Sequence, residues 1–221
     1  MFAKINAEEV LLLSRDICAR GSKSTNKIYH EQAPVSMRKI ENRKLASLPP
    51  EDEIDHFVGA GDRMLDGSAT SFIDYGNRIM HALIVGNNQY TNCLEYACVA
   101  IAIAHKKNYP FVWLCRLNEY DHYFVVFGPR VLKGCREFFM THSPLYHLDQ
   151  PAFVCDGWAN ITCNLREYLP RLSEKLNMWD AQGKRYLRVI SMGGTHTKIC
   201  KFTNHGGAVQ AAISSFSVTK C

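Results

Sequence analysis

Several features that would settle the class of this 221-residue chain at once are missing from it. No apolar run approaches the roughly 20 residues needed to span a bilayer, so no transmembrane segment is expected. The opening MFAKINAEEVLLLSRD carries only a short VLLL run, flanked by acids and lacking a small-residue cleavage pattern. It does not read as a Sec signal peptide. Nine cysteines are present, yet none forms a C-x-x-C pair, and the odd number is scattered along the chain. A disulfide framework is therefore not expected, and most of these thiols read as buried small hydrophobes in a reducing compartment. There is no internal repeat, no low-complexity tract and no RNA- or DNA-binding motif. GGTH near position 193 lacks the lysine and the preceding pattern of a phosphate loop, so it reads as a turn.

What is present is ordinary for a globular chain: 47% hydrophobic and 21% charged residues, enough to bury a core in one large domain. The formal charge of +5 is unevenly spread. Residues 20 to 44 hold seven Lys or Arg against two Glu, a local +5, so the remainder sums to about zero. That segment reads first as a solvated basic face, and otherwise as a contact for an acidic partner, a membrane surface or nucleic acid.

The first half is patterned as helix. Asn6 is placed to cap AEEVLLLSRDICAR, which Gly21 would stop. Ser36 is placed to cap MRKIENRKLASL, ended by Pro49 and Pro50. SFIDYGNRIMHALIV sets Phe72, Tyr75, Ile79 and Leu83 at near-helical spacing. The second half brings short β-branched and aromatic runs: FVWLCRL (111 to 117), HYFVVF (122 to 127), AFVCD (152 to 156) and KRYLRVISM. Between the last two lies a helix, LREYLPRLSEKLNMWD, in which Pro170 implies a kink or a late start. The expected organisation is α+β: a helical front over 1–85, an α+β core over 86–191, and an edge strand or flexible tail over 192–221, with the front packed on an antiparallel sheet.

Three short stretches carry chemistry. In YTNCLEYACVAIAIA, Asn92 as N-cap makes Cys93 the first helical residue and Glu95 the third, an Asn version of the capping box. The macrodipole and the N-terminal amides of a helix favour the anion of a thiol placed there. Cys98 sits roughly 140° further round the helix and belongs to the core. In EYDHYFVVFG, His122 heads an otherwise apolar strand, where an imidazole is held by the sheet yet open to a cleft and can take a thiol proton. In AFVCDGWAN, Asp156 ends a strand, and an imidazole N–H is the obvious partner for a carboxylate buried there, with Trp158 placed to shield the bond. Each residue also has a plainer role: a buried thiol, a tolerated strand-end histidine, a turn or helix-capping aspartate. Together they follow the nucleophile, base and orienter logic of a thiol triad, at separations of 29 and 34 residues. His196, Cys200 and His205 lack the paired second half of a zinc site, so no metal is expected.

NCLEYA, DHYFVVFG and VCDGWAN resemble blocks of the papain-like and transglutaminase-like cysteine enzymes found among translocated toxins and effectors of bacterial pathogens. The resemblance spans residues 86 to 160, about a third of the chain, and its motifs are short. It implies a papain/transglutaminase-like fold and cofactor-free acyl transfer on a protein substrate, possessed by a Cys93–His122–Asp156 triad. The expected target is a glutamine carboxamide, for crosslinking or deamidation, with peptide-bond cleavage as the alternative. The Cys93 N–H would be one oxyanion donor and a side-chain amide the other, with Gln89 the first candidate, beside Asn87 and Asn88. GNNQYTNC departs from the tighter Gly-Asn-Cys of many relatives at this point. The resemblance further implies residence in a bacterial cytoplasm and delivery to a host cytosol, where a host protein would be substrate. The rival expectation is a non-catalytic interaction module that binds a partner through the helical front and the basic 20–44 segment.

Overall fold

The computed structural model describes residues 2–20, 28–29, 69–86, 91–117, 122–128, 137–138, 151–191, 195–202 and 216–220. Four helices are described: α1 (Phe2–Ala19), α2 (Ala69–Ile84), α3 (Cys93–Lys106) and α4 (Leu165–Ala181). The strands are β1 (Ile28–Tyr29), β2 (Val112–Leu117), β3 (His122–Phe127), β4 (Glu137–Phe138), β5 (Phe153–Asp156), β6 (Ile161–Asn164), β7 (Lys184–Ser191), β8 (Thr195–Cys200) and β9 (Phe216–Lys220). The architecture is α+β. A six-stranded sheet runs in the order β4-β9-β2-β3-β5-β6, and β1-β7-β8 form a separate three-stranded sheet. All pairings are antiparallel.

Strand alternation assigns the two faces of the large sheet to two helical layers. Leu114, Tyr123, Val125, Phe127 and Cys155 pack with buried residues of α1, α2 and α3. Trp113, Cys115, Phe124, Val126 and Val154 face the other way, against Leu165, Tyr168, Leu172 and Leu176 of α4. α1 joins the first layer through Ala7, Val10, Leu11, Ser14 and Cys18, an i, i+3, i+4 stripe that is fully or nearly fully buried. α3 is apolar nearly all round, and every residue from Ala97 to Ala104 is buried. Its close approach to α2 depends on Gly76, where an added Cβ would lie 2.1 Å from the Cys98 carbonyl oxygen.

Several sequence expectations shift. α1 begins at Phe2, so Asn6 lies inside the helix instead of capping it. Ala3 and Lys4 favour helix, and an interior Asn costs well under about 1 kcal/mol, too little to delay the start. α4 runs unbroken from Leu165 with Pro170 as an interior residue, which overturns the late start. Pro170 is exposed, and the carbonyl its missing N–H would have served belongs to Arg166, also exposed. The turn after Asp156 leads into strand β6, which the sequence pattern did not announce. In the 192–221 region, β8 is an edge strand of the small sheet, whereas β9 is inserted between β4 and β2. The Ser36-capped helix, residues 51–68, Gln89 with Asn87 and Asn88, and His205 lie outside the described residues.

Candidate active site

Sheet register brings two of the three residues together. Val126 pairs with Val154 and Val125 with Cys155, so the next pair sets Asp156 across from Phe124. Asp156 is then one diagonal step from His122 on the same face, a separation long side chains bridge readily. The side chains meet: His122 Nε2 is 2.9 Å from Asp156 Oδ2. Both are buried, His122 at 7% and Asp156 at 1% exposure, which requires the charges to be compensated within the site.

The third residue arrives from α3. Asn92 is the N-cap in an extended conformation, and its backbone N–H donates to Glu95 Oε2 at 2.8 Å, the well-formed half of the capping box. The Tyr75 hydroxyl of α2 also donates to Glu95, at 3.3 Å. This fixes the start of α3 and puts Cys93 at its first position, among amides without an intrahelical acceptor. Cys93 packs against the core that holds His122, near enough for its thiol to act on the ionisation of the imidazole. With Nε2 turned to the carboxylate, the Nδ1 side of the ring is the one left for the thiol. Of Cys18, Cys93, Cys98, Cys115, Cys155 and Cys163, Cys93 is the one that is not buried.

The electrostatics follow from this packing. Burial works against the imidazolium, but the Asp156 charge and hydrogen bond, aided by Cys93, outweigh it and raise His122 to about 10. Burial likewise opposes the Asp156 carboxylate, yet the facing His122 and the bonds from His122, Ala159 and Tyr168 hold it below the ordinary carboxylate range. Asp156 Oδ1 accepts from the Ala159 N–H at 2.9 Å, so the aspartate serves the turn as well as the imidazole. Because an ionised carboxylate only accepts, the geometry assigns the proton to Nε2.

Trp158 lies where the sequence suggested, its ring centroid 5.1 Å from that of His122, and Trp179 stacks edge-on behind it at 5.2 Å. Phe124 flanks the imidazole at 6.3 Å. The turn itself is gripped from the helical layer: Arg15 of α1 donates to the Gly157 carbonyl at 2.8 Å, and Tyr96 of α3 packs so close that a Cβ on Gly157 would lie 2.6 Å from its ring. Cys93, His122, Asp156 and Trp158 are thus assembled from three separate segments, the start of α3, the start of β3, and the end of β5 with its turn. Gln89 lies outside the described residues, so the second oxyanion donor is not placed.

Sequence reasoning passed over one member of the cluster. Tyr168 of α4 is fully buried, with its hydroxyl 2.8 Å from Asp156 Oδ2 and 3.1 Å from His122 Nε2. Burial first, and then the Asp156 charge, push its ionisation far above the ordinary phenol range, so it remains a neutral donor. Among the described residues, no group of three or more His, Cys, Asp or Glu side chains is arranged to hold a metal, and no helix is long and apolar enough to cross a membrane. Comparison with protein-family models, with curated proteins and with solved structures finds no match for this chain.

Proposed function

We propose that this protein is a thiol enzyme of the papain/transglutaminase-like class, performing acyl transfer at glutamine carboxamides of a protein substrate. The observation that carries this reading is the buried His122–Asp156 pair, 2.9 Å apart, with Cys93 at the first position of α3 beside the imidazole. A buried strand-end histidine with only a structural role needs neither a thiol on one side nor an ionised carboxylate on the other. An α3 N-terminus beside a sheet that carries the imidazole and its carboxylate also supports a papain-like arrangement.

In this mechanism the proton of Cys93 already rests on the His122 imidazolium, and the sulfur attacks the carboxamide carbon as a thiolate. The tetrahedral oxyanion faces the amide N–H groups at the start of α3, with that of Cys93 first among them. As the C–N bond breaks, His122 returns the proton to the departing ammonia and leaves a thioester on Cys93. An amine then closes a crosslink, or water completes a deamidation. His122 deprotonates either one, and the thiol leaves. Asp156 keeps Nε2 protonated and stabilises the imidazolium throughout.

The test is brief exposure of native protein to limiting iodoacetamide near pH 6, with each cysteine read by mass spectrometry, beside a His122→Ala variant. Ordinary thiols, with a pKa of about 8.5, stay mostly protonated at that pH. Burial holds Cys18 at about 12 and Cys163 at about 11. Selective labelling of Cys93, slowed in the variant, supports the reading; labelling no faster than in the denatured chain overturns it. Amine incorporation and ammonia release from glutamine-containing proteins then test the substrate class, and new peptide termini without ammonia would replace it with proteolysis.

A further inference from the structure

We propose that Tyr168 is a positioning residue of this site, its hydroxyl bridging Asp156 and His122 so that Nε2 keeps its proton and Nδ1 stays turned to Cys93. The inference rests on the thiol-enzyme reading for its consequence and on geometry for its substance. A phenol has one proton to donate, and of its two neighbours the ionised carboxylate is the stronger acceptor. The hydroxyl therefore donates to Asp156 Oδ2 at 2.8 Å, and its oxygen is left to accept from the His122 Nε2–H at 3.1 Å. The bridge closes a ring of three groups in which Nε2–H is shared between Oδ2 and the hydroxyl oxygen, and Oδ2 accepts from both donors.

Two consequences follow, and both act on Cys93 from a distance. The carboxylate gains a third donor beside His122 and the Ala159 N–H, which helps a fully enclosed Asp156 stay charged. The imidazolium gains a second acceptor on Nε2–H, which fixes the ring's rotation as well as its proton. The Tyr168 ring is itself held, 4.5 Å from Phe124 between centroids, so the hydroxyl is presented by a rigid support. A tyrosine wanted for packing alone needs no partner of this kind, since phenylalanine fills the same space.

Tyr168→Phe keeps the ring and deletes the bridge, and iodoacetamide labelling of Cys93 reads the result without knowledge of the substrate. We expect labelling near pH 6 to slow about tenfold, the scale of one hydrogen bond to a charged group. The acid limb of the rate–pH profile moves upward by about one unit, because the imidazolium loses the hydroxyl acceptor on Nε2–H. In an Asp156→Asn background the same change slows labelling less than about twofold, since the charge through which Tyr168 acts has gone. An unchanged rate and limb, or equal slowing in both backgrounds, overturns the proposal. Proton NMR of the unchanged chain decides independently of whether the variant folds or whether Cys93 is reactive. A slowly exchanging Tyr168 hydroxyl proton with a nuclear Overhauser contact to the His122 ring supports the bridge. A freely exchanging one without that contact overturns it, whereas an unreactive Cys93 beside an intact bridge would count against the enzyme reading alone.

Discussion

Replacing Asp156 with alanine should destabilise the fold strongly and with a particular pH dependence. The carboxylate is 1% exposed and accepts from three donors: His122 Nε2–H, the Tyr168 hydroxyl and the Ala159 N–H. Asp156→Ala leaves all three without their acceptor in a dry setting, and removing one partner of a buried ion pair costs about 3–5 kcal/mol. For a chain of this length that lowers the melting temperature by about 6–20 °C. The sign of the pH dependence follows from the two shifts. His122 is raised in the fold, so its contribution is complete below its unfolded value of about 6.5 and fades as pH climbs to about 10. Asp156 is depressed, so its contribution is complete above about 3.9 and is lost as pH falls through its folded value. In the variant the unpaired, buried His122 is pushed towards neutrality, which removes the alkaline decline. Urea unfolding of both proteins should therefore show the widest gap between about pH 4 and 6.5, narrowing towards about pH 10. A gap under about 1 kcal/mol at pH 6, or one that widens with rising pH, would refute the ion-pair argument.

Two substitutions away from the triad test its supports. Gly76→Ala sets a Cβ 2.1 Å from the Cys98 carbonyl oxygen, a backbone atom that cannot step aside, so α2 must lift from α3. A loss of about 3 kcal/mol, the upper end for overpacking, should appear in denaturant unfolding; a melting temperature within about 2 °C of the parent would contradict the packing. Arg15→Ala removes the 2.8 Å bond to the Gly157 carbonyl, a charge-assisted bond worth about 1.5–3 kcal/mol. Calorimetry should record that loss, and Cys93 labelling should slow several-fold because the freed turn follows Asp156 directly; unchanged melting and labelling would remove α1 from the site's support.

Cys93, His122 and Asp156 were legible as candidates because each breaks an apolar pattern where an element begins or ends. Cys93 heads the buried helix, with Asn92 and Glu95 announcing its first turn. His122 opens a strand whose other five residues are all apolar or aromatic, and Asp156 closes one. Tyr168 broke nothing. It sits on α4 with Leu165, Leu169, Leu172 and Leu176 at core spacing, where an aromatic is the expected filler. Its hydroxyl partners are 12 and 46 residues away in sequence, and no local rule reaches that far. The insertion of β9 beside β2 was hidden for the same reason, since strand pairing at long range leaves no mark on the strand's own residues. Asn6 misled in the opposite direction: a capping residue type marks a helix start only if the residues before it resist helix, and Ala3 and Lys4 do not.

The site also explains why a thiol, an imidazole and a carboxylate can sit in so apolar a setting. The Asp156 side chain faces the α4 layer and meets Tyr168 there, while the turn that follows it is held from the opposite layer by Arg15 and Tyr96. His122 likewise lies on the α4 face beside Tyr168, and the N-terminus of α3 brings Cys93 to the core on that side. The two helical layers therefore grip one strand end from both sides, and neither alone fixes the geometry. Loosening either grip frees the imidazole to turn or the carboxylate to draw in water, and both changes weaken the proton transfer that would activate Cys93. Substitutions as far apart in sequence as Arg15 and Tyr168 should for that reason converge on the reactivity of a single sulfur atom.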